Sequence, residues 1–402
     1  AQIAGRLPLG DALRRLLGEL SPQGVVTGLA ATWAGPLDAP TKYQAKALFS
    51  GLSLAAKPAA QADSVGRPGL RNATLQVTAS EAGGQARLDI ADGALEFPGV
   101  FDEPVVAFDS LGAQLAWTVT PRAGGAPPQI SVSVKDVRFA NADAQGEASA
   151  SWATGPGEGF ARGGRLPGQF ELNGRIAKGD AAQVPRYLPL HLVDTRNYLG
   201  RAIRAGTVRD VGFRVKGDLF DFPYVAARSA KEGEFRIAGR VEGATFDYVP
   251  SEPAVADKPA WVSPWPAFTQ VAGELVIDRS VLEIRDARAQ LGGVALSQVN
   301  GGFRNLVDKP VLALDGVARG PLADMLRFVN ATPVGQWTGS ALAKASATGS
   351  AELKLGLALP LRELAASTVK GSLALPGNDV RLTPDTPLMA AAKARLQFTH
   401  TS

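Results

Sequence analysis

The chain has 402 residues and a mass of 41.8 kDa, which suggests two or three ordinary domains or one long repetitive unit. Hydrophobic residues make up 45% and charged residues 20%, which argues against global disorder, and a net charge of only +4 argues against nucleic-acid binding. With no cysteine and only two histidines, disulfides and cysteine-ligated zinc are excluded, and a site built on several histidines is not expected.

No segment of the sequence predicts a membrane-spanning helix or a signal peptide. The longest charge-free stretch of interest, residues 20–37, contains two prolines and several polar residues, whereas a spanning helix needs about 20 predominantly apolar ones. Residues 1–15 lack the charged-then-apolar order of a signal peptide. Because the chain starts and ends abruptly, we expect it to be a segment of a longer protein.

The first part of the chain predicts one helix followed by strands. Asp11 can cap a short leading helix, whose leucines 13, 16, 17 and 20 share one face. Strict alternation of apolar and polar residues then predicts half-buried strands. The alternating segments are residues 72–79, 84–90, 113–117, 129–134 and 144–152.

From Gly168 onward the alternation begins repeatedly at a glycine. The segments are residues 168–174, 212–217, 233–239, 273–277, 350–356 and 371–375. Their uneven spacing does not fit an exact solenoid repeat and favours successive hairpins of one long antiparallel sheet. Two further short helices are predicted, one near 194–203 capped by Asp194 and one near 321–329 with Pro321 at its first position.

The predicted fold class is therefore mainly β, an elongated and curled antiparallel sheet with a few short helices. A loose boundary near residue 180 separates two expected segments. Residues 1–180 would form an N-terminal β-groove segment with the leading helix, and residues 181–402 a glycine-marked β-groove segment with the other two helices.

Common catalytic and cofactor motifs are missing from the sequence. The nearest approach to a nucleophile turn, around Ser53, lies inside an alternating strand pattern and lacks the second glycine. The glycine-rich residues 155–159 lack the lysine and the helix of a phosphate loop. We predict neither a cofactor nor a metal, and no enzymatic activity.

The remaining candidates for chemistry have simpler structural interpretations. Glu234, Glu274 and Glu352 could form a glycosidase-like pair, but each alternates with apolar residues and is predicted to face water on its strand. His191 has no acidic residue or second histidine at ligand spacing. The aromatic cluster of Trp261, Trp265 and Phe268 could line a carbohydrate or lipid surface, although anchoring of a proline-rich crossover is favoured.

The sequence has much apolar strand surface and few helices to cover it. The apolar face of a sheet must meet another layer, curl onto itself, or hold an apolar ligand. Composition and periodicity alone leave these three outcomes open.

A series of short motifs resembles a known family. In order, they are LSPQG at 20–24, YLP at 187–189, AGTV at 205–208, FPY at 222–224, WP at 265–266, GELVI at 273–277, LPL at 359–361 and VKG at 369–371. Their order over nearly the whole chain resembles the YhdP family of AsmA-like proteins, relatives of TamB. The resemblance implies a taco-shaped β structure, anchored in the inner membrane by an N-terminal helix that this stretch lacks.

The resemblance also implies a function. Such proteins are thought to be bridges that conduct phospholipid through the periplasm along a hydrophobic groove, towards the outer membrane or its proteins. Phospholipid and the two membranes are therefore the expected partners, and catalytic residues are not expected. The alternatives are an exported β-rich scaffold or glycan-binding module, and a β-helix hydrolase. The groove residues are chosen from the alternation itself and are Leu75, Val77, Leu88, Ile90, Leu115, Trp117, Val132, Val134, Phe170, Leu172, Phe213, Val215, Phe235, Ile237, Leu275, Ile277, Leu353 and Leu355.

Overall fold

The computed structural model describes residues 11–36, 40–58, 65–256 and 258–399. It is 58% strand and 14% helix, its paired strands are antiparallel, and its helices are short, so the predicted mainly-β class is confirmed. The chain divides into two units. Unit 1 comprises residues 1–179, 185–196 and 210–236, and unit 2 comprises residues 180–184, 197–209 and 237–402.

Unit 1 is a series of antiparallel hairpins in which each strand pairs with the next one along the chain. A sequence of alternating residues with short turns produces this arrangement because the closest partner in the chain is also the closest in space. Its strands are β1 (Gln23–Ala34), β2 (Lys42–Leu54), β3 (Gly69–Ser80), β4 (Gly83–Glu96), β5 (Val105–Thr120), β6 (Gln129–Ala140), β7 (Ala144–Ala153) and β8 (Gln169–Asp180).

Unit 2 repeats the pattern, except that β14 pairs with β16 while the two-residue β15 pairs with β17. Strands β9 (Ile203–Asp218) and β10 (Glu234–Phe246) contribute residues to both units. The others are β11 (Phe268–Asp278), β12 (Val281–Leu291), β13 (Val294–Phe303), β14 (Val311–Pro321), β15 (Ser346–Ala347), β16 (Ser350–Pro360), β17 (Thr368–Arg381) and β18 (Met389–Thr399).

The strands bend at β-bulges, which the sequence analysis did not anticipate. In unit 1 the pairing register shifts beside Asn72, Asp92 and Asp136, and in unit 2 beside Asp286 and Gln298. All five have a left-handed backbone, with φ between 44° and 56°. Asparagine and aspartate tolerate this conformation better than other side chains with a Cβ, and a bulge bends the strand that contains it.

Each unit has a small buried cluster on the inside of its sheet. In unit 1, Ala73, Ile90 and Leu111 are buried and contact apolar residues on both sides of the bulges, including Leu88 and Leu95 of the same strand. The bend therefore encloses the apolar face at this point. In unit 2 the cluster comprises Leu322, Ala351 and Leu375, with Met325 packed against it.

The helices are short and end or interrupt the hairpin series. They are α1 (Asp11–Leu20), α2 (Val193–Ala202), α3 (Ser229–Glu232), α4 (Leu322–Ala331) and α5 (Pro333–Trp337). Pro321 is the last residue of β14 and precedes α4, so its predicted place at the first helical position is wrong by one residue. The side chains of Asp11, Leu13 and Leu16 lie outside the described part of the chain, and so does His400.

The side chain of Asn72 connects the bulge in β3 to the bulge in β4. Its Nδ2 donates hydrogen bonds to the carbonyl oxygens of Ala91 and Asp92, both at 3.1 Å. We expect Asn72→Val to lower the free energy of unfolding by about 2–4 kcal/mol, because a β-branched residue is strained at this φ and both bonds are lost. Asn72→Gly should lower the free energy of unfolding by less, because glycine adopts this φ without strain and only the two hydrogen bonds are lost. Urea denaturation of the three chains measures both effects, and equal stability of the valine and wild-type chains would contradict this role.

Candidate functional site

The register of unit 1 brings the apolar residues of eight strands onto one face. Residues directly opposite each other in neighbouring strands point to the same side of the sheet. Starting from Leu115 and following partners in both directions gives one transverse row, and every member is apolar. The row is Leu29, Ala47, Val77, Ala86, Leu115, Val134, Ala150 and Leu172.

The next row, one residue along each strand, lies on the opposite face and is largely polar. It comprises Ala30, Lys46, Thr78, Gln85, Ala116, Ser133, Ser151 and Glu171. We call the first side of the sheet the apolar face and the second the polar face. The two faces differ this sharply because side chains alternate strictly along a strand.

Ten predicted groove residues lie together on the apolar face of unit 1. Nine of them are half-buried, so part of each side chain remains accessible: Leu75, Val77, Leu88, Leu115, Trp117, Val132, Val134, Phe170 and Leu172. The tenth, Ile90, lies on the same face but is only 3% exposed, because it belongs to the buried cluster at the bulges. Ile90 therefore stabilises the fold and offers little surface to a ligand.

Three more candidates of unit 1 lie on β9 and β10. The ring of Phe213 lies directly over Gly174, where an added Cβ would collide with the phenylalanine Cζ. This places Phe213 on the apolar face, because Gly174 is opposite Ala148 in the register. Val215 follows Phe213 at strand spacing and is half-buried. Phe235 packs edge-on against Phe222 at 5.0 Å between ring centroids.

Unit 2 has an apolar face of the same kind. Leu275 and Ile277 are opposite Ile284 and Leu282. Following the partners of Leu275 gives a fully apolar row of Leu275, Ile284, Gly301, Leu314, Leu357 and Val369. Leu353 and Leu355 alternate with Leu357 along β16 and share its face, and both are half-buried. Ile237 lies in β10 and is half-buried.

Sequence reasoning missed the contributions of β1, β2 and β12–β14 to these faces. Leu29, Phe49, Ile284 and Leu314 have the same orientation as the predicted residues beside them. Residues 42–47 do alternate, so a systematic search for period two would have found part of this surface, whereas residues 311–314 are all apolar and give no such signal.

The carboxylates considered for acid–base chemistry form ion pairs with arginines on other strands. Glu234 pairs with Arg214, Glu274 with Arg285 at 3.6 Å, and Glu352 with Arg319 at 2.7 Å. The three carboxylates lie on different strands, β10, β11 and β16. The partner of each is an arginine, and none of the three is paired with another of them. This arrangement matches the predicted solvated strand face and offers no paired acid and base.

A polar network lies at the bulge-side end of unit 1. The Tyr187 hydroxyl donates to the Asp143 carboxylate at 2.7 Å and accepts a hydrogen bond from Asn141. Burial, and then the hydrogen bond to Asp143, raise the pKa of Tyr187 to about 12. Arg186 joins Asp143 to Glu103 through two ion pairs. Arg186, Asp143 and Glu103 are thus paired with one another at this end of the strands.

The predicted aromatic cluster of unit 2 divides into two parts. Trp265 packs between Tyr248 and the rings of Phe328 and Trp337, at centroid distances of 5.8–6.2 Å. It thus anchors the crossover to α4 and α5. Trp261 remains 42% exposed.

The described residues contain neither a metal-binding cluster of side chains nor a helix that could span a membrane. In residues 11–36, 40–58, 65–256 and 258–399, no group of three or more histidine, aspartate or glutamate side chains could hold a metal ion. Within those same ranges no helix has both the length and the apolarity needed to cross a bilayer.

The fold and the apolar faces define a class of protein. In each unit, successive antiparallel hairpins form a sheet with a partly accessible apolar face. The chain belongs to the YhdP family, because the sequence profile of the YhdP protein matches residues 1–402. It is 27% identical over 212 residues to the intermembrane phospholipid transporter YhdP of Escherichia coli (strain K12). The match covers 52% of this chain and spans 15% of the length of that relative. No solved structure matches the chain.

Proposed function

We propose that this chain is a segment of a phospholipid conduit, in which acyl chains lie against the apolar faces while headgroups remain in water. The observation that carries the proposal is the register, which gives both units an apolar face without a polar side chain in the rows described. The name of the Escherichia coli relative supports phospholipid as the transported molecule. A location in the periplasm, within a protein anchored in the inner membrane, is part of the same proposal.

The energetics favour a lipid that is held on the apolar faces and slides along them over one that is bound tightly at a single place. Burying an acyl chain gains about 0.8 kcal/mol per methylene group. Successive strands contribute Ala, Val and Leu to each row, so a lipid that moves from one strand to the next exchanges similar contacts. Phosphate groups stay hydrated, which avoids the large cost of burying a charge. A conduit of this kind is passive, and direction would come from elsewhere in the transport system.

The proposal is tested by photo-crosslinking to phospholipid at matched positions in both units. A photoreactive phenylalanine analogue at Val134 or Leu355, on the apolar faces, should capture radiolabelled phospholipid. The same residue at Ser133 or Lys354, one position along each strand on the polar face, should capture little. A scaffold or glycan-binding protein would give no difference between the faces. Capture in one unit only would contradict a conduit that includes both.

A further inference from the structure

Aromatic residues gather at one end of the strands of unit 1. Trp117, Val132, Trp152 and Phe170 are consecutive partners in the register and form one row on the apolar face. Trp33 and Tyr43 are partners on the same face, two residues nearer the strand ends. We call these strand ends the aromatic end; three of the chain's six tryptophans lie there.

These rings occupy a boundary between apolar surface and water. Trp33 is 53% exposed and Tyr43 39%, while the Trp152 Nε1 donates a hydrogen bond to the Pro167 carbonyl at 2.8 Å. Tryptophan and tyrosine have an apolar ring and a polar group, and in membranes they concentrate at the level of the lipid headgroups.

The accessible strip beyond the aromatic row has the length of an acyl chain. From Trp117 to Ala113, which is only 8% exposed, is four residues along β5, or about 13 Å at the usual rise of a strand. One leaflet of a bilayer has a hydrocarbon thickness of about 15 Å. A lipid whose glycerol lies at Trp117 would therefore have its acyl chains end near the bulges, where the face becomes buried.

Two arginines at the aromatic end have no acidic partner. Arg122 follows β5 and donates to the Pro156 carbonyl at 2.8 Å, and Arg165 precedes β8 and donates to the Pro128 carbonyl at 2.6 Å. Among the described residues, neither guanidinium has a carboxylate within ion-pair distance, so no neighbouring carboxylate balances its charge. At the opposite end Arg186 is neutralised by Glu103 and Asp143. Arg122 and Arg165 therefore place positive charge at the same strand ends as the tryptophans, where an anionic headgroup would be.

We propose that unit 1 holds phospholipid in one orientation, with the phosphate at Arg122 and Arg165, the glycerol beside Trp117 and Trp152, and the acyl chains directed towards the bulges. The proposal rests on the proposed conduit function. It adds a headgroup site and a lipid orientation, and its ligand is a diacyl phospholipid with a charged phosphate.

The charge is tested with the double variant Arg122→Gln/Arg165→Gln. The chain is loaded from dioleoylphosphatidylglycerol vesicles or with dioleoylglycerol, and retained lipid is quantified by mass spectrometry. We expect retention of the phospholipid to fall about tenfold or more, because a charge-assisted phosphate contact is lost, with little change for dioleoylglycerol. Arg122→Lys/Arg165→Lys should restore retention, and Arg87→Gln on the polar face should not alter it. Unchanged retention in the glutamine variant, or equal loss of both lipids, would overturn the headgroup site. Suppression of phospholipid retention by inorganic phosphate alone would show a free-anion site and overturn it as well.

The orientation is tested independently by fluorescence, which does not require the arginine variants to fold. In a chain that keeps Trp117 and has phenylalanine at the other tryptophans, lipid brominated next to the glycerol should quench more than lipid brominated next to the terminal methyl group. Equal or reversed quenching would overturn the orientation while leaving a conduit intact. A wild-type chain that retains neither lipid would instead refute the proposed function.

Discussion

Leu115→Glu is expected to remove most of the phospholipid that purifies with the chain while leaving the fold intact. Leu115 is half-buried in the centre of the apolar face, between Ala86 and Val134. Water can reach a carboxylate at this position, so the cost of charge burial is small, but acyl chains would lie against an ionised group. Lipid extracts analysed by mass spectrometry, together with a thermal melt of the same preparation, measure both effects.

Gln114→Glu provides the matched control for this variant. Gln114 adjoins Leu115 in β5 but is exposed on the polar face, and the substitution adds the same carboxylate to the chain. It should change neither the lipid content nor the melting temperature. A folded Leu115→Glu chain with its full lipid content would show that acyl chains do not occupy this face. Equal loss of lipid in both variants would point to net charge rather than to position.

Leu111→Glu, unlike Leu115→Glu, is expected to unfold unit 1. Leu111 lies four residues from Leu115 on the same strand and face, but it is only 8% exposed and packs with Ala73 and Ile90. An unpaired carboxylate in this cluster costs several kcal/mol, comparable with the 5–15 kcal/mol that stabilises a typical domain. Urea denaturation followed by circular dichroism should show a large loss of stability.

A milder variant separates charge burial from loss of packing. Leu111→Ala should cost about 2–5 kcal/mol through the cavity that it leaves. Leu115→Ala should cost less, because that side chain is partly in water already. Equal stability losses at positions 111 and 115 would mean that the apolar face is evenly covered, and the distinction between an enclosed bend and an accessible strip would fail.

The two positions show how one strand serves two purposes. The bulges bend the sheet so that a narrow band of the apolar face is enclosed and stabilises the unit. The rest of the face extends towards the aromatic end without a covering layer in the contacts described. Under the proposed function, stability and lipid binding therefore depend on different segments of the same alternating pattern, and a change in one segment need not impair the other.

The sequence by itself determined the class of fold and the chemistry that is missing. Alternation at residues 72–79 and 129–134 predicts strands with one dry side, because side-chain direction in a strand depends only on position. The lack of cysteine and of phosphate-binding motifs removes whole classes of site, since such sites need particular atoms. Glu274 and Glu352 were correctly interpreted as solvated, because each alternates with apolar neighbours.

Only the tertiary structure decided which apolar residues are accessible and which residues meet. Leu88 and Ile90 occupy equivalent places in the alternating pattern. Ile90 is nevertheless buried and Leu88 only half-buried, because the bulge at Asp92 lies two residues after Ile90. Asp92 has no partner in the register with β3, and its carbonyl oxygen accepts a hydrogen bond from Asn72 at the bulge, so local sequence does not reveal its left-handed conformation. Six strand pairings place Trp33, Trp117 and Trp152 at the same end of the sheet. Register is a property of pairs of strands, and no single segment specifies it.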